Sequence, residues 1–171
     1  MTNLRNGYVG VGGNLTSVEG APQRLFDRVA AWLPSLGIDI VRQSSWYRTG
    51  AVGPGDQPAY INGVWEIATG LTAEALLDQL HTVEAWFGRR REVRWGARVI
   101  DLDLLALGDQ ILHPASAESL CLPHPRLAER AFVLVPLCEI APGWRHPVLG
   151  ATASELLNRL NPKDISAVNP A

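Results

Sequence analysis

The stretch Tyr60-Ile61-Asn62-Gly63-Val64-Trp65-Glu66-Ile67-Ala68-Thr69 alternates along its length. Ile61, Trp65 and Ile67 fall on one side and Tyr60, Asn62 and Glu66 on the other, as in a strand with two different faces. Directly after it, Thr72 opens a helix whose stripe is Leu76, Leu77, Leu80, Val83 and Phe87, and Gly88 fits its C-terminal stop. A similar unit lies upstream. Tyr8 to Val11 is a short apolar strand, Thr16-x-x-Glu19 has the form of a cap, and Pro22 fits a first turn. Leu25, Phe26, Val29, Trp32 and Leu33 then recur at helical spacing up to Pro34. Ile38 to Tyr47 reads as a second strand and Val99 to Leu107 as a fourth. The order β-α-β-β-α-β is the split βαβ, or ferredoxin-like, signature. It predicts an α+β fold, an antiparallel sheet with helices on one face, followed by C-terminal additions of Pro-bounded short segments. Thr152-x-x-Glu155 caps a last helix bearing Leu156, Leu157 and Leu160. Residues 1–171 read as a single domain.

The 171 residues are 47% hydrophobic and 19% charged, a globular rather than a disordered composition. A net charge of −2 offers no global basic field to nucleic acid or a membrane. No run approaches the ~18 apolar residues of a membrane span, and the first residues lack an apolar signal core, so a cytoplasmic location is expected. Cys121 and Cys138 read as two buried, reduced thiols. Fourteen of the fifteen basic residues are Arg, and Lys163 is the only Lys. A Gly-rich phosphate loop ending in Lys is therefore absent, and any polyphosphate must be met by arginines and metal. Gly10-x-Gly12-Gly13-Asn14 resembles a dinucleotide fingerprint, but Leu15 stands at its third Gly position, which argues against a Rossmann site.

The strongest chemical signal is Asp101-Leu102-Asp103 in the fourth strand. Residues two apart share a strand face, so both carboxylates point the same way, roughly 7 Å apart at Cα. Leu105 and Leu107 are expected to continue that face. Such a pair repels itself unless a cation intervenes, so Ala at either position is expected to relieve repulsion in the metal-free protein. Two hard oxygen ligands suit Mg²⁺ together with substrate phosphates. Alone, Asp-x-Asp is a weak motif and reads better as a solvent-facing pair on an edge strand. Arg89, Arg90, Arg91, Arg94 and Arg98 immediately precede it, and guanidinium forks match phosphate oxygens. Together the two clusters favour phosphate binding over simple charge balance. Tyr60 and Asn62 share a strand face, and Asn offers a donor and an acceptor to a heterocycle edge. On periodicity alone, Tyr60 and Phe132 read better as core. His124 is held between Pro123 and Pro125, and a lone His is more often structural than catalytic.

Several blocks resemble one family in order. Arg94-Trp95-Gly96-Ala97-Arg98-Val99-Ile100-Asp101-Leu102-Asp103-Leu104-Leu105 is similar to the signature of 6-hydroxymethyl-7,8-dihydropterin pyrophosphokinases of folate biosynthesis. Supporting blocks are Tyr8 to Leu15, Ser44-Ser45-Trp46-Tyr47-Arg48-Thr49, Gly53-Pro54-x-Asp56-Gln57-Pro58-x-Tyr60-x-Asn62, Pro123-His124-Pro125-Arg126-Leu127, and Phe132 to Pro142 with Glu139-Ile140-Ala141-Pro142 at its end. The resemblance spans roughly residues 8 to 147. It implies an ATP-dependent pyrophosphokinase that passes the β,γ-pyrophosphoryl unit to the pterin hydroxymethyl oxygen and releases AMP. Asp101 and Asp103 would hold two Mg²⁺ ions on the triphosphate. Arg91, Arg98 and Arg130 would meet the phosphates or the charge that develops, with Arg91 and Arg98 joining the two aspartates as catalytic residues. Glu84, Arg89, Trp95 and His124 would help hold ATP. Thr49, Tyr60, Asn62 and Phe132, with backbone near Val52, would hold the pterin. The loops around 48–59 and 88–98 would be lids. Departures are Gly13 where Ser is usual, Gly50-Ala51 where prolines are frequent, and Ala97 where Pro is common. They bear on loop order and affinity. The expected partners are the two small-molecule substrates, without nucleic acid or membrane, and the expected state is a monomer. A non-catalytic pterin- or nucleotide-binding relative is the competing reading. An RNA-recognition module on the same topology is disfavoured by the absence of Gly-Phe-type strings and by the negative charge.

Overall fold

The computed structural model of the protein describes residues 4–51, 56–88, 97–114, 116 and 119–171. Its elements are β1 (Arg5–Gly13), α1 (Pro22–Trp32), β2 (Ile38–Gln43), β3 (Tyr47–Thr49), β4 (Tyr60–Thr69), α2 (Ala73–Trp86), β5 (Asp101–Leu107), α3 (Ala131–Ile140), α4 (Ala153–Asn158), α5 (Pro162–Ser166) and β6 (Asn169–Pro170). The sheet runs β5-β1-β4-β3-β6, and β2 also pairs with β4. Every pairing is antiparallel, so the ferredoxin-like core is realised with β1 and β4 at its centre.

The expected second strand is two strands on one edge of β4. β2 pairs with Trp65–Thr69 and β3 with Tyr60–Asn62. The break has a local cause. Ser44 Oγ accepts the Val64 N–H at 2.9 Å, replacing a main-chain partner. Trp46 then lies across Gly63, where a Cβ would come within 2.7 Å of the indole. Only a glycine leaves that room. Trp46 turns inward against Phe26 and Trp65, while the chain re-enters the sheet at Tyr47.

Helices α1 and α2 cover one face, as expected. Leu25, Phe26, Val29, Leu76, Leu80 and Val83 pack there on Val9, Val11, Ile61, Trp65, Ile67, Leu102 and Leu104. Thr72 Oγ1 accepts from Ala75 N–H at 3.3 Å, and Gly88 closes α2 at φ +88°. Thr16–Glu19 does not cap α1. It belongs to a Ser17–Gly20 turn, and α1 starts at Pro22 behind Ala21. The C-terminal additions cover the opposite face of the sheet. Helices α3 and α4 bring Val133, Leu134, Leu137, Ile140 and Leu156 onto Tyr8, Val64 and Leu105. The Thr152–Glu155 capping box is complete.

Leu105 shares the face of Asp101 and Asp103, but Leu107 does not. The β1–β5 register slips beside Tyr8 and Val9, and this bulge turns Leu107 onto the other core. Cys121 and Cys138 are free thiols, half-buried rather than buried. Among the described residues, no helix is long and apolar enough to cross a membrane.

Candidate active site

Strand β1 organises the site because it is paired on both edges. Gly12 stands opposite Asp101 of β5 and Asn62 of β4; Gly10 stands opposite Asp103 and Val64. Register partners share a face, so Asp101, Gly12 and Asn62 form one row across three strands, and Tyr47 of β3 extends it. Gly12 brings no side chain to this face and leaves a trough between Asp101 and Asn62, into which the Asn62 amide leans, so that Gly12 itself is buried; Gly10, in the next row, lies under Leu105. A Cβ on Gly12 would come within 3.0 Å of Asn62 Oδ1. The glycines that resembled a nucleotide fingerprint thus floor a sheet rather than start a helix.

Both aspartates are charge-paired. Arg98 Nη1 donates to Asp101 Oδ2 at 2.6 Å, and Arg130 Nη1 lies 3.8 Å from Asp103 Oδ2. Arg130 comes from the turn before α3, and its guanidinium carbon stands 5.5 Å from the centre of the Phe132 ring. Burial pulls the Arg130 pKa down, against the pull of Asp103. Two carboxylates beside two forked cations form a charge-balanced set that a metal–polyphosphate can enter. It would bring cations to the carboxylates and oxygens to the guanidiniums. No cluster of three or more metal-ligand side chains occurs among the described residues. A two-carboxylate set fits Mg²⁺, which takes its remaining ligands from phosphate and water.

His124 borders this set. Its main-chain N–H donates to the Leu105 carbonyl at 2.8 Å, and its ring Nδ1 accepts from the Arg126 main-chain N–H at 3.2 Å. The proton of the neutral ring therefore sits on Nε2. Burial, then Arg130 and Arg126, lower its pKa to about 4. A neutral His preferred by the fold adds stability above its ordinary value of 6.5, and that contribution is lost as pH falls towards 4. The ring-proton shifts of His124 should accordingly titrate near 4 in the ligand-free protein. A midpoint near 6.5 would contradict the burial argument.

On the far side of the trough, Asn62 Nδ2 donates to Thr49 Oγ1 at 2.8 Å, and Thr49 pairs with Tyr60. Phe132 packs with Val64 and Tyr8 on this same face. The structure thus brings together Arg98, Asp101, Asp103, His124 and Arg130, and beside them Thr49, Tyr60, Asn62 and Phe132. Glu84 has a different position. It is 1% exposed, and its Oε1 accepts from Leu102 N–H at 2.6 Å, so it supports the outer edge of β5 from α2. Its enclosure leaves it no open surface to offer a ligand. Val52, Arg89, Arg91 and Trp95 lie outside the described residues.

Two residues that tie this region together were not legible as such in the sequence. Asn14 is 4% exposed; its Oδ1 accepts from Arg98 N–H at 2.8 Å, and its Nδ2 donates to the Pro58 carbonyl at 3.0 Å. It thereby ties the Arg98 segment to the segment entering β4. Gly13, where Ser was expected, lets this segment lie close: a Cβ there would come within 2.5 Å of the Val99 carbonyl oxygen. Glu139 of α3 bonds to Ser45 and Tyr47 across 94 and 92 residues. The only signal for either residue was its place inside a matching block.

Residues 8–142 match the family model described as 7,8-dihydro-6-hydroxymethylpterin-pyrophosphokinase. A 2-amino-4-hydroxy-6-hydroxymethyldihydropteridine pyrophosphokinase of Synechocystis sp. is 43% identical over 162 residues, covering 95% of this chain and 78% of that protein. One from Methylorubrum extorquens is 41% identical over 166 residues, covering 96% and 99%. Among solved structures, Plasmodium falciparum HPPK-DHPS A437G with pteroate superposes with a TM-score of 0.69 at 15% identity. It covers 92% of this chain, which spans 43% of that longer chain, and the likeness is one of fold. The matched span takes in the glycine-floored strand, the acidic strand and α3, and it makes the chain a member of the 7,8-dihydro-6-hydroxymethylpterin-pyrophosphokinase family.

Proposed function

We infer that the protein transfers the β,γ-pyrophosphoryl group of ATP to the hydroxymethyl oxygen of 6-hydroxymethyl-7,8-dihydropterin, a step of folate biosynthesis that releases AMP. The observation that carries this reading is the row Asp101–Gly12–Asn62. Its ends are two strand spacings apart, about 10 Å between Cα atoms. That span suits a heterocycle held at one end and a polyphosphate at the other, with the reacting atoms above Gly12.

In this reading Asn62, Thr49 and Tyr60 hold the pterin edge, and Phe132 supplies a ring face. Arg98 and Arg130 exchange their carboxylate partners for phosphate oxygens. His124, neutral with its proton on Nε2, adds an uncharged donor. By the resemblance, Arg89, Arg91 and Trp95 would act on the nucleotide, Arg91 on the transferring phosphates, and backbone near Val52 on the pterin. Asp101 and Asp103 would hold Mg²⁺, two ions by the resemblance, which supplies charge neutralisation on the triphosphate. The new bond joins the hydroxymethyl oxygen to Pβ. The bond from Pβ to the α,β-bridging oxygen breaks, its electrons leave with AMP, and the hydroxyl proton is released. Such a transfer relies on positioning and charge stabilisation more than on covalent help from the protein. One chain supplies every residue named, so the reading requires only a monomer.

Incubation with ATP, Mg²⁺ and the pterin, followed by nucleotide separation, tests it. AMP should accumulate with the pterin diphosphate, and chelator should stop the reaction. ADP as the main product would overturn the assignment, and AMP without modified pterin would leave only a hydrolase.

A further inference from the structure

Strand β3 has three residues, too few to hold its own position. It carries Thr49, and its Tyr47 pairs with Asn62. Three elements hold it. One edge pairs with β4; the other pairs with β6, where Arg48 faces Asn169 and the Ala171 N–H donates to the Trp46 carbonyl at 2.9 Å. The third is a single side chain. Glu139 accepts from Ser45 N–H at 3.0 Å, from Ser45 Oγ at 2.8 Å and from the Tyr47 hydroxyl at 2.8 Å.

These bonds join β3 to the helix that bears Phe132. Phe132 and Glu139 are seven residues apart on α3, two turns along one side, about 10 Å. At the Glu139 end, α3 is fastened to β3. At the Phe132 end, it stands over the face of Asn62 and Val64. Partial burial pushes the Glu139 carboxyl up, but the Ser45 and Tyr47 donors outweigh it and hold the group below its usual value. Burial, then the bond to Glu139, pushes Tyr47 up to about 12. The carboxylate and the phenol are thus in their bonding forms across the physiological range.

We propose that Glu139 is a positioning residue for pterin binding: by fastening β3 to α3 it sets the gap between Thr49–Asn62 and Phe132 in which the heterocycle lies. The proposal rests on the pterin assignment of Asn62 and Thr49 made above. Acting at one side of the trough, the latch should affect one substrate and not the other. Glu139→Ala should raise the KM for pterin by about ten- to a hundredfold, while the KM for ATP stays within about twofold. Glu139→Gln, which keeps an acceptor oxygen without the charge, should recover part of the loss. Tyr47→Phe, which removes one bond, should give a smaller loss of the same kind.

Steady-state kinetics in both substrates, with a thermal melt of each variant, test this, and Asn62→Ala serves as the reference. A lower melting temperature with an unchanged pterin KM would make Glu139 a structural latch only and overturn the proposal. Equal rises in both KM values would overturn it too. If Glu139→Ala does not fold, Glu139→Gln and Tyr47→Phe decide by the same split. If Asn62→Ala itself leaves pterin KM unchanged, the pterin assignment fails; a raised KM there with unchanged Glu139 variants overturns the latch alone.

Discussion

Replacing Asp101 or Asp103 with Ala should lower turnover by at least about 10²–10³-fold while the chain still folds. In the proposed reading each carboxylate supplies negative oxygen to Mg²⁺ when substrate is bound. The stability effect should have the opposite sign from the one expected on the sequence. Two adjacent carboxylates without partners would repel, and removing one would help. Here Asp101 is bonded to Arg98 and Asp103 is paired with Arg130, so Ala removes an attractive partner; Arg130 would keep only the weaker pull of Asp101 and Glu129. The cost for Asp103→Ala should be about 1 kcal/mol, below that of a fully buried broken pair, because the Asp103 side chain is 37% exposed and water screens what remains. Turnover assays alongside thermal melts check both parts. Near-normal turnover in either variant would remove the metal role, and a raised melting temperature would remove the ion-pair account.

Gly12→Val should fold and yet lose about 10²-fold or more in kcat/KM. Gly12 lies in a regular strand paired on both sides, where a β-branched residue is favoured by the backbone. Its side chain would rise from the floor between Asp101 and Asn62. Even one Cβ lies 3.0 Å from Asn62 Oδ1, so Ala already pushes that amide by a few tenths of an ångström. Val adds two methyl groups where, in the proposed reading, the hydroxymethyl oxygen and Pβ meet. A displacement of about 1 Å between reacting atoms suffices for a loss of this order. Gly12→Ala should therefore lie between parent and Val. Steady-state kinetics of the two variants give the order. A Val variant with parental kcat/KM would mean that donor and acceptor do not meet above Gly12.

Much of this molecule was legible before folding. The alternation of Tyr60–Thr69, the helical stripes of α1 and α2 and the cap at Thr72 are local patterns, and local patterns follow from strand and helix periodicity. The pairing of Asp101 with Asp103 on one face was legible for the same reason, since two residues is the repeat of a strand. The order of six motif blocks pointed to the reaction. What period and propensity could not supply was anything set by contacts between distant segments. The split at Ser44–Trp46 depends on Gly63, some twenty residues away. The turn of Leu107 to the other face comes from a bulge against β1. Helix α3 was hidden because Pro136 lies inside it and its residues are apolar almost all round, so no stripe marks a face.

Sequence alone thus determined β1, β4, β5, α1, α2 and the cap of α4, the chemical types of the site and the family it resembles, because these reside in residue identity and short spacings. Only the tertiary structure decided how the pieces face one another. It brought Arg98 and Arg130 to separate aspartates and set Gly12 as a floor between the acidic strand and Asn62. It gave Asn14 and Glu139 partners more than forty residues away. Antiparallel register settles which residue stands opposite which, and a carboxylate or an amide acquires its task from the donors that register brings within 3 Å.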